Sequence, residues 1–293
     1  MIQFKVSNRS QLSAIRRKYC GDWLFYRSGE ILGLLNPKFV SDERFLVELP
    51  LQPSRENIHG EILKDSKSVL VYLELEKELF VKFYRPRNLA RAIRYSFFRR
   101  KRSSNSLITA LNLARIGIDT PQVAGIAQLE DDNGVYSGDY LITENISSKV
   151  CFLDKRLPEI LQLPSTRFQQ FIAALSGMTA QLHNNGIYHG DLSLRNIYCR
   201  STNIAEKFAA AQFGLIDLDG AENHLSPLSL TARRSEAARI ISSFVKLAGF
   251  HQINLSRPKL TECFTANYFE HTGVELNGRG LEKRIDYLIA RKR

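Results

Sequence analysis

Two short stretches, one a polar loop and the other an apolar run that ends in a carboxylate, constrain the fold of this chain more than any other feature of its sequence. The first contains His189, Asp191 and Asn196, so that a side-chain amide follows a carboxylate five residues later. The second is the apolar run 213–216, which ends at Asp217. An apolar run of this length, bounded by polar residues, indicates a buried strand. The pattern therefore predicts a polar turn, followed further along the chain by a buried strand that ends in a carboxylate.

These residue types suit the transfer of a phosphoryl group, in which the protein positions the reactants and neutralises oxygen charge. Asp191 would accept a hydrogen bond from the attacking hydroxyl and orient it. Asn196 and Asp217 would supply the hard oxygen ligands that Mg²⁺ prefers. Asp219 competes for the second ligand position, but Asp217 is preferred because it directly follows the apolar run. His189 is interpreted as a residue that braces the loop rather than as an acid or base.

The order and spacing of these residues resemble the catalytic segments of protein-kinase-like enzymes. Such enzymes bind ATP phosphates with a lysine on an upstream strand, and Lys82 lies among the apolar residues Phe80, Val81 and Phe83 of a predicted strand. We therefore expect Lys82 to bind the nucleotide. The fold class expected is α+β, a two-lobed protein-kinase-like fold with a small antiparallel-sheet N-lobe and a mainly helical C-lobe.

The periodicity of the rest of the chain agrees with this architecture. Apolar runs separated by polar turns predict strands at 61–64, 68–73, 79–84, 122–128 and 140–143. Helical spacing predicts helices that begin at the N-caps Ser104 or Asn105, at the N-cap Ser165 and at Ser235. Pro158 and Pro164 indicate a linker. The predicted domains are an N-terminal extension at 1–58 that is expected to pack on the N-lobe, an N-lobe at 59–144 and a C-lobe at 145–293.

The positive charge of the chain is concentrated in one segment. The sequence has 41 lysine and arginine residues against 30 acidic residues, a net charge of +11, yet no acid occurs from Leu79 to Ile118. Within that segment, the range 87–102 combines arginines with an apolar stripe and is predicted to form a basic helix. Such a patch favours contact of the arginines with phosphate in a nucleic acid, an anionic lipid or a phosphorylated sugar. The apolar stripe favours packing on the body of its own domain over contact with a membrane. Nucleic-acid binding is not expected.

Other features exclude whole classes of protein. No apolar run of about 18 residues is present to span a membrane, and the first residues do not form the apolar core of a signal peptide. The four cysteines form no Cys-x-x-Cys pair, which argues against a zinc knuckle or a disulfide framework. A cytoplasmic protein with reduced thiols is therefore expected.

Two departures from protein kinases point to a small acceptor rather than a peptide. The residue between His189 and Asp191 is glycine, so no cation is available there to bind a phosphorylated activation loop. Between Gly220 and the helix predicted at Ser235 there are only fourteen residues, too few for a long activation segment. A sugar, a lipid or another small molecule is favoured.

The chain also resembles the lipopolysaccharide core kinases of Gram-negative bacteria, the Kdo/heptose kinase family, over roughly residues 60–270. The resemblance rests on three stretches besides the catalytic ones: Lys82-Phe83-Tyr84-Arg85, Gly117-Ile118-Asp119-Thr120-Pro121 and Tyr140-Leu141-Ile142-Thr143-Glu144. It implies transfer of phosphate from ATP, with Mg²⁺, to a heptose or Kdo hydroxyl of the inner core. It also implies an anionic glycolipid substrate, a location at the cytoplasmic face of the inner membrane, and Glu144 at the hinge where adenine binds.

Two alternatives stay open from the sequence. The His-Gly-Asp tripeptide at 189–191 favours a soluble small-molecule kinase of the aminoglycoside or choline type. Kinases also carry a glutamate on the helix after the lysine, and no acid lies near Ser106, where that glutamate is expected. This absence favours a pseudokinase that binds nucleotide and has a regulatory role.

Overall fold

The computed structural model describes residues 8–28, 31–39, 61–65, 68–74, 78–86, 101–130, 135–200 and 212–291. Most of the predicted basic helix 87–102 and the predicted turn 131–134 lie outside the described residues. The chain divides into two compact units, one formed by residues 1–111 and 121–145, the other by 112–120 and 146–293. These units are defined by compactness and follow other boundaries than the predicted division at 58 and 144. The predicted division stays a prediction.

The first unit is built on an antiparallel sheet of seven strands in the order β1-β2-β6-β7-β5-β4-β3. Its described elements are helix α1 (Asn8–Tyr19), β1 (Leu24–Ser28), β2 (Ile31–Leu35), β3 (Glu61–Asp65), β4 (Ser68–Glu74), β5 (Glu78–Tyr84), the start of α2 (Arg102–Arg115), β6 (Val123–Glu130) and β7 (Tyr136–Glu144). All five strands predicted from the sequence are present. Strands β1 and β2, whose residues lie in the predicted N-terminal extension, belong to the same sheet.

Alternation of apolar and polar residues explains how the sheet forms its core. Along β5 the residues Leu79, Val81 and Phe83 are buried, whereas Phe80 and Lys82 are partly exposed. A period of two places successive side chains on opposite faces of a strand. The buried face of β5 joins a cluster that includes side chains of β2, β6 and β7, which stabilises the central strands against exchange of register.

The second unit is mainly helical. Its described elements are β8 (Cys151–Phe152), α3 (Leu157–Leu161), α4 (Ser165–Asn184), β9 (Ile187–Tyr188), β10 (Ile197–Cys199), β11 (Phe213–Leu215), β12 (Glu222–Asn223), α5 (Leu230–Phe250), α6 (Arg257–Thr272) and α7 (Arg279–Ala290), with 3₁₀ turns at Leu194–Asn196 and Leu218–Gly220. Helix α4 packs on α6, and α5 on α7. The rings of Phe171, Phe213 and Phe244 meet edge to face in this core. No described helix is both long and apolar enough to cross a membrane.

Two predicted helix boundaries were wrong, and one helix lies where a linker was predicted. Helix α3 lies in the predicted linker and has a proline at its first positions, where a missing N–H costs nothing. Pro164, not Ser165, occupies the N-cap position of α4. Helix α5 begins at Leu230 instead of Ser235, because the side chain of Ser229 accepts a hydrogen bond from the N–H of Ala232.

The cap predicted for α2 was also wrong, and a buried carboxylate explains why. The helix begins before Ser104 and Asn105, and Asp139 of strand β7 accepts a hydrogen bond from the N–H of Ser103. The hydroxyl of Tyr136 donates to the other oxygen of this carboxylate. A negative charge at a helix N-terminus is favourable. The cap of α2 is therefore a tertiary contact with a residue 36 positions along the chain.

Candidate active site

Asp191 and Asn196 lie next to each other in the loop that follows β9. The side-chain Nδ2 of Asn196 donates to the backbone oxygen of Asp191 at 2.8 Å and lies 3.3 Å from its carboxylate Oδ2. Asn196 is only 4% exposed, so these contacts hold the amide in one orientation. Its Oδ1 accepts no hydrogen bond from any residue that the structure describes. The amide oxygen thus remains available to a cation.

His189 joins this loop to the strand that precedes Asp217. Its Nε2 lies 3.0 Å from the backbone oxygen of Ile216, and its Nδ1 accepts a hydrogen bond from the N–H of Asp191 at 3.3 Å. Because Nδ1 accepts, the proton lies on Nε2 and is donated to Ile216. The N–H of Ile216 in turn donates to the backbone oxygen of Asn196. Such contacts brace the loop, the role predicted for His189.

Asp217 has an unusual backbone conformation. Its φ of 63° and ψ of 54° lie in the left-handed region, which a non-glycine residue adopts at a cost of about 1–3 kcal/mol. Asp217 is exposed and directly follows Ile216, whereas Asp219 lies inside the following 3₁₀ turn. Strain of this kind clusters at functional sites. The preference for Asp217 over Asp219 stays a prediction with this observation in its favour.

The contact between these two loops explains the glycine at position 190. Gly190 has a φ of 83°, and a Cβ atom added there would lie 2.6 Å from the backbone oxygen of Gly220. Both facts exclude any larger residue unless the loops separate. The glycine that distinguishes this chain from protein kinases is therefore required by the close approach of the loop carrying Asp191 to the loop carrying Asp217.

Sequence reasoning missed the residue that holds the backbone of the first loop, Glu236 of helix α5. Its two carboxylate oxygens accept hydrogen bonds from the N–H groups of His189 and Gly190, at 2.9 and 2.8 Å. Burial on its own would raise the pKa of Glu236, but the nearby imidazole of His183 and the backbone N–H of His189 hold that pKa below its usual value. The sequence did contain a signal for this residue, because Glu236 is an acid on the apolar face of the helix predicted from Ser235.

A second buried layer supports Glu236. Arg233 donates to the hydroxyl of Tyr268 at 2.8 Å, and that hydroxyl lies 2.9 Å from Nδ1 of His183. The tyrosine proton is thus directed to Nδ1, and the proton on Nε2 of His183 faces Glu236 at 3.5 Å. Burial lowers the pKa of His183, so its imidazole is neutral at pH 7. This network orients Glu236 and, through it, the loop.

Two arginines contact the side chain of Asp191. Arg195 of the 3₁₀ turn forms an ion pair with Oδ2, and Arg239 of helix α5 forms one with Oδ1 at 3.2 Å. Arg239 lies one helical turn beyond Glu236, on the same side of α5. Neither arginine was singled out in the sequence, because a basic residue near a turn carries no signal until the helix is placed.

The two predicted nucleotide-binding residues lie in the first unit, on paired strands. Lys82 is half-buried on β5, opposite Leu141 of β7, and its Nζ lies 5.2 Å from the centre of the Tyr84 ring. Glu144 is the last residue of β7, and its Oε1 accepts a hydrogen bond from the N–H of Gln122 at 3.0 Å. The side chain of Glu144 thus fixes the end of the strand.

Comparison with known proteins assigns this arrangement to a family. The model of the lipopolysaccharide kinase (Kdo/WaaP) family matches residues 65–257, about two thirds of the chain. The chain belongs to the lipopolysaccharide kinase (Kdo/WaaP) family. It is therefore a phosphotransferase that acts on an alcohol group, and its substrate is the lipopolysaccharide core.

A solved structure supports the fold. The chain is similar to the structure described as WaaP in complex with acyl carrier protein, with a TM-score of 0.56 and 17% sequence identity over 86% of this chain and 95% of that one. The predicted two-lobed protein-kinase-like fold of class α+β is confirmed. A comparison with curated protein sequences found no match.

The turn 117–121, on which much of the family resemblance rests, is hydrogen-bonded to strands β10 and β11. Thr120 donates its hydroxyl proton to the backbone oxygen of Leu215, and the backbone oxygen of Asp119 accepts from the N–H of the same residue. The carboxylate of Asp119 accepts hydrogen bonds from Tyr198 and Arg200. In this lipopolysaccharide kinase the turn therefore fixes β10 and β11, from which Asn196 and Asp217 are presented.

The donor set of the site fits a magnesium ion. An amide oxygen without a hydrogen bond among the described residues, at Asn196, and an exposed carboxylate, at Asp217, are oxygen ligands of the type Mg²⁺ prefers. In the described part of the chain no cluster of three or more His, Cys, Asp and Glu side chains forms a different metal site. When bound to Asn196 and Asp217, the ion would neutralise the charge of phosphate oxygens.

Proposed function

We propose that this lipopolysaccharide kinase transfers the γ-phosphoryl group of ATP to a heptose or Kdo hydroxyl of the inner core, at the cytoplasmic face of the inner membrane of a Gram-negative bacterium. The observation that carries the proposal is the contact of Asn196 with both the backbone and the carboxylate of Asp191. This contact holds a potential magnesium ligand beside the carboxylate that would orient the acceptor hydroxyl.

Each proposed role follows from the chemistry of the residue. Asp191 accepts a hydrogen bond from the sugar hydroxyl and aligns its oxygen for in-line attack. Asn196 and Asp217 hold Mg²⁺, and Lys82 contributes positive charge to the phosphates of ATP. Glu144 ends β7 at the position where the adenine is expected. The connection between β12 and α5 is shorter than the sequence predicted, because α5 begins at Leu230. It leaves few residues that could bind a peptide acceptor.

The direct test measures transfer of labelled γ-phosphate from ATP to purified core lipid. Asp191→Asn should lower kcat by about 100- to 10,000-fold, because the orienting carboxylate is lost while the shape is kept. Asp286→Asn is the matched control, since Asp286 is exposed and forms an ion pair only with Arg257 among the described residues. Equal rates for the wild type and Asp191→Asn would remove Asp191 from the mechanism. Transfer to soluble aminoglycosides or choline, with none to core lipid, would contradict the proposed acceptor.

The membrane location has a separate test. The arginines of the range 87–102 should bind anionic lipid with a strength of about 1 kcal/mol per residue near the surface. Replacement of Arg87, Arg91 and Arg94 by glutamine should weaken co-sedimentation with vesicles that contain anionic lipid, and should leave binding to neutral vesicles unchanged. Unchanged binding to the anionic vesicles would contradict a role for this segment in membrane contact.

A further inference from the structure

The site has more positive charge around Asp191 than that carboxylate can balance. Two guanidinium groups face one carboxylate, so the cluster formed by Arg195, Arg239 and Asp191 has a net charge of +1. Within the described part of the chain, neither arginine forms an ion pair with any other acid. Charge left unbalanced beside a reactive group attracts an anion.

The arginines also retain unused hydrogen-bond donors. Each guanidinium has five N–H groups in a rigid fork, and the contacts with Asp191 involve one nitrogen of Arg195 and one of Arg239. The Nε of Arg239 is buried and has no hydrogen-bond partner among the described residues. The side chains of Arg195 and Arg239 are 45% and 25% exposed, so a ligand can reach both of them.

The location of the cluster places it on the acceptor side of the site. Under the proposed function, Asp191 orients the hydroxyl that is phosphorylated, so groups bound to its two oxygens lie on the acceptor side of the reaction. Arg195 belongs to the same loop as Asp191, and Arg239 belongs to the helix whose Glu236 holds that loop. Both cations are therefore placed beside the position where the acceptor hydroxyl would bind.

We propose that Arg195 and Arg239 form an acceptor subsite that binds an acidic group, a carboxylate or a phosphate, carried by the sugar next to the hydroxyl that is phosphorylated. The subsite rests on the proposed function, because that function makes Asp191 the partner of the acceptor. Guanidinium groups match the planar geometry of such oxyanions and bind them through paired hydrogen bonds. The subsite selects acidic core sugars over neutral sugars that present the same hydroxyl.

The test compares equilibrium binding of three core lipids to the full-length protein. The first lipid is unmodified, the second has its sugar carboxylates converted to amides, and the third has its phosphates removed. The proteins are the wild type, Arg239→Gln and Arg195→Gln. Arg156→Gln is the matched control, because Arg156 is an arginine of similar exposure whose ion pair is with Glu159, remote in sequence from the loop.

The proposal expects the wild type to lose about 10- to 100-fold in affinity when the recognised acid is removed. Loss with the amide lipid identifies a carboxylate, and loss with the dephosphorylated lipid identifies a phosphate. Arg239→Gln and Arg195→Gln should bind the unmodified lipid with affinity reduced to the same extent. Removal of the recognised acid from the lipid should not reduce the affinity of these variants further. Arg195 is nearly half exposed, so Arg195→Gln keeps the test valid if Arg239→Gln does not fold.

Two outcomes would overturn the subsite. Equal affinity of the wild type for all three lipids would show that no acid is recognised. A loss of kcat in both arginine variants, with unchanged affinity for every lipid, would show that the arginines only position Asp191. Phosphate transfer is measured in parallel: acid-dependent binding without transfer contradicts the proposed function alone, and transfer without acid-dependent binding contradicts the subsite alone.

Discussion

Among the residues that the structure describes, each of the two units contains one fully buried carboxylate, and the two carboxylates have different partners. Asp139 of the first unit accepts a backbone N–H and a tyrosine hydroxyl and caps helix α2. Glu236 of the second unit accepts two backbone N–H groups from the loop that contains Asp191. The first carboxylate fixes the start of a helix, and the second fixes the backbone directly before Asp191.

The pKa values of the two carboxylates move in opposite directions. Burial raises the pKa of Asp139, and hydrogen bonds from Ser103 and Tyr136 only reduce that shift. For Glu236 the same effect of burial is outweighed by His183 and His189, and the pKa is lowered. The comparison shows that burial alone does not decide the direction in which the pKa of an acid moves. The hydrogen-bond donors and charges around the carboxylate decide it as well.

The largest effect is expected for Glu236→Gln. The amide N–H₂ of glutamine would face one of the two loop N–H groups, so one buried donor is left without an acceptor, at a cost of about 1–3 kcal/mol in the free energy of unfolding. Displacement of the loop should also lower kcat by about 100-fold. Urea unfolding and steady-state kinetics measure the two effects. Glu159→Gln on the surface is the control, and wild-type kcat in Glu236→Gln would show that the loop does not depend on this carboxylate.

A smaller effect is expected for Asp139→Asn. The amide keeps one oxygen for the N–H of Ser103, and the raised pKa of Asp139 indicates that its neutral form is already tolerated. The free energy of unfolding should fall by about 1 kcal/mol, with KM for the acceptor lipid unchanged. A loss of stability larger than that of Glu236→Gln would reverse the comparison between the two units.

The pH dependence of stability should reveal the cation next to Asp139. Burial lowers the pKa of Lys101 to about 8, although Asp139 and Glu130 oppose this shift. Between that value and the unfolded value of 10.5 the unfolded chain binds more protons, so wild-type stability should rise with pH across this window. The rise relative to Lys101→Met should be roughly 1 kcal/mol per pH unit. Parallel unfolding curves for the two proteins from pH 8 to pH 10 would contradict a buried ammonium group.

The smallest effect is expected for His183, on the change of stability with pH below 6.5. Its folded pKa is lowered below 6.5, so its contribution to stability is present above pH 6.5 and is lost as the pH falls toward the folded pKa. The melting temperature of His183→Gln should therefore vary less with pH below 6.5 than that of the wild type. His251→Gln, at an exposed position, is the control. An equal slope in the wild type and in His183→Gln would assign the acid dependence to other groups.

Prediction from the sequence succeeded where a signal is local. The strands of the sheet were predicted from alternation and apolar runs, and the lipopolysaccharide kinase family was recognised from catalytic stretches that are continuous in the chain. It failed at the ends of α2 and α5 and in the predicted linker, because the caps that decide those ends are single contacts. Glu236, Arg239 and Asp139 were missed for a different reason: their partners lie between 36 and 48 positions away.

The sequence by itself determined the family of this protein and the set of residue types at its site, since spacing along a loop and a strand is a property of the chain. Only the tertiary structure decided why residue 190 is glycine, which acid supports the loop and which cations face Asp191. These features depend on the packing of helix α5 and of the turn at Gly220 against the loop. Such contacts depend on distances in space between residues that are far apart in the chain.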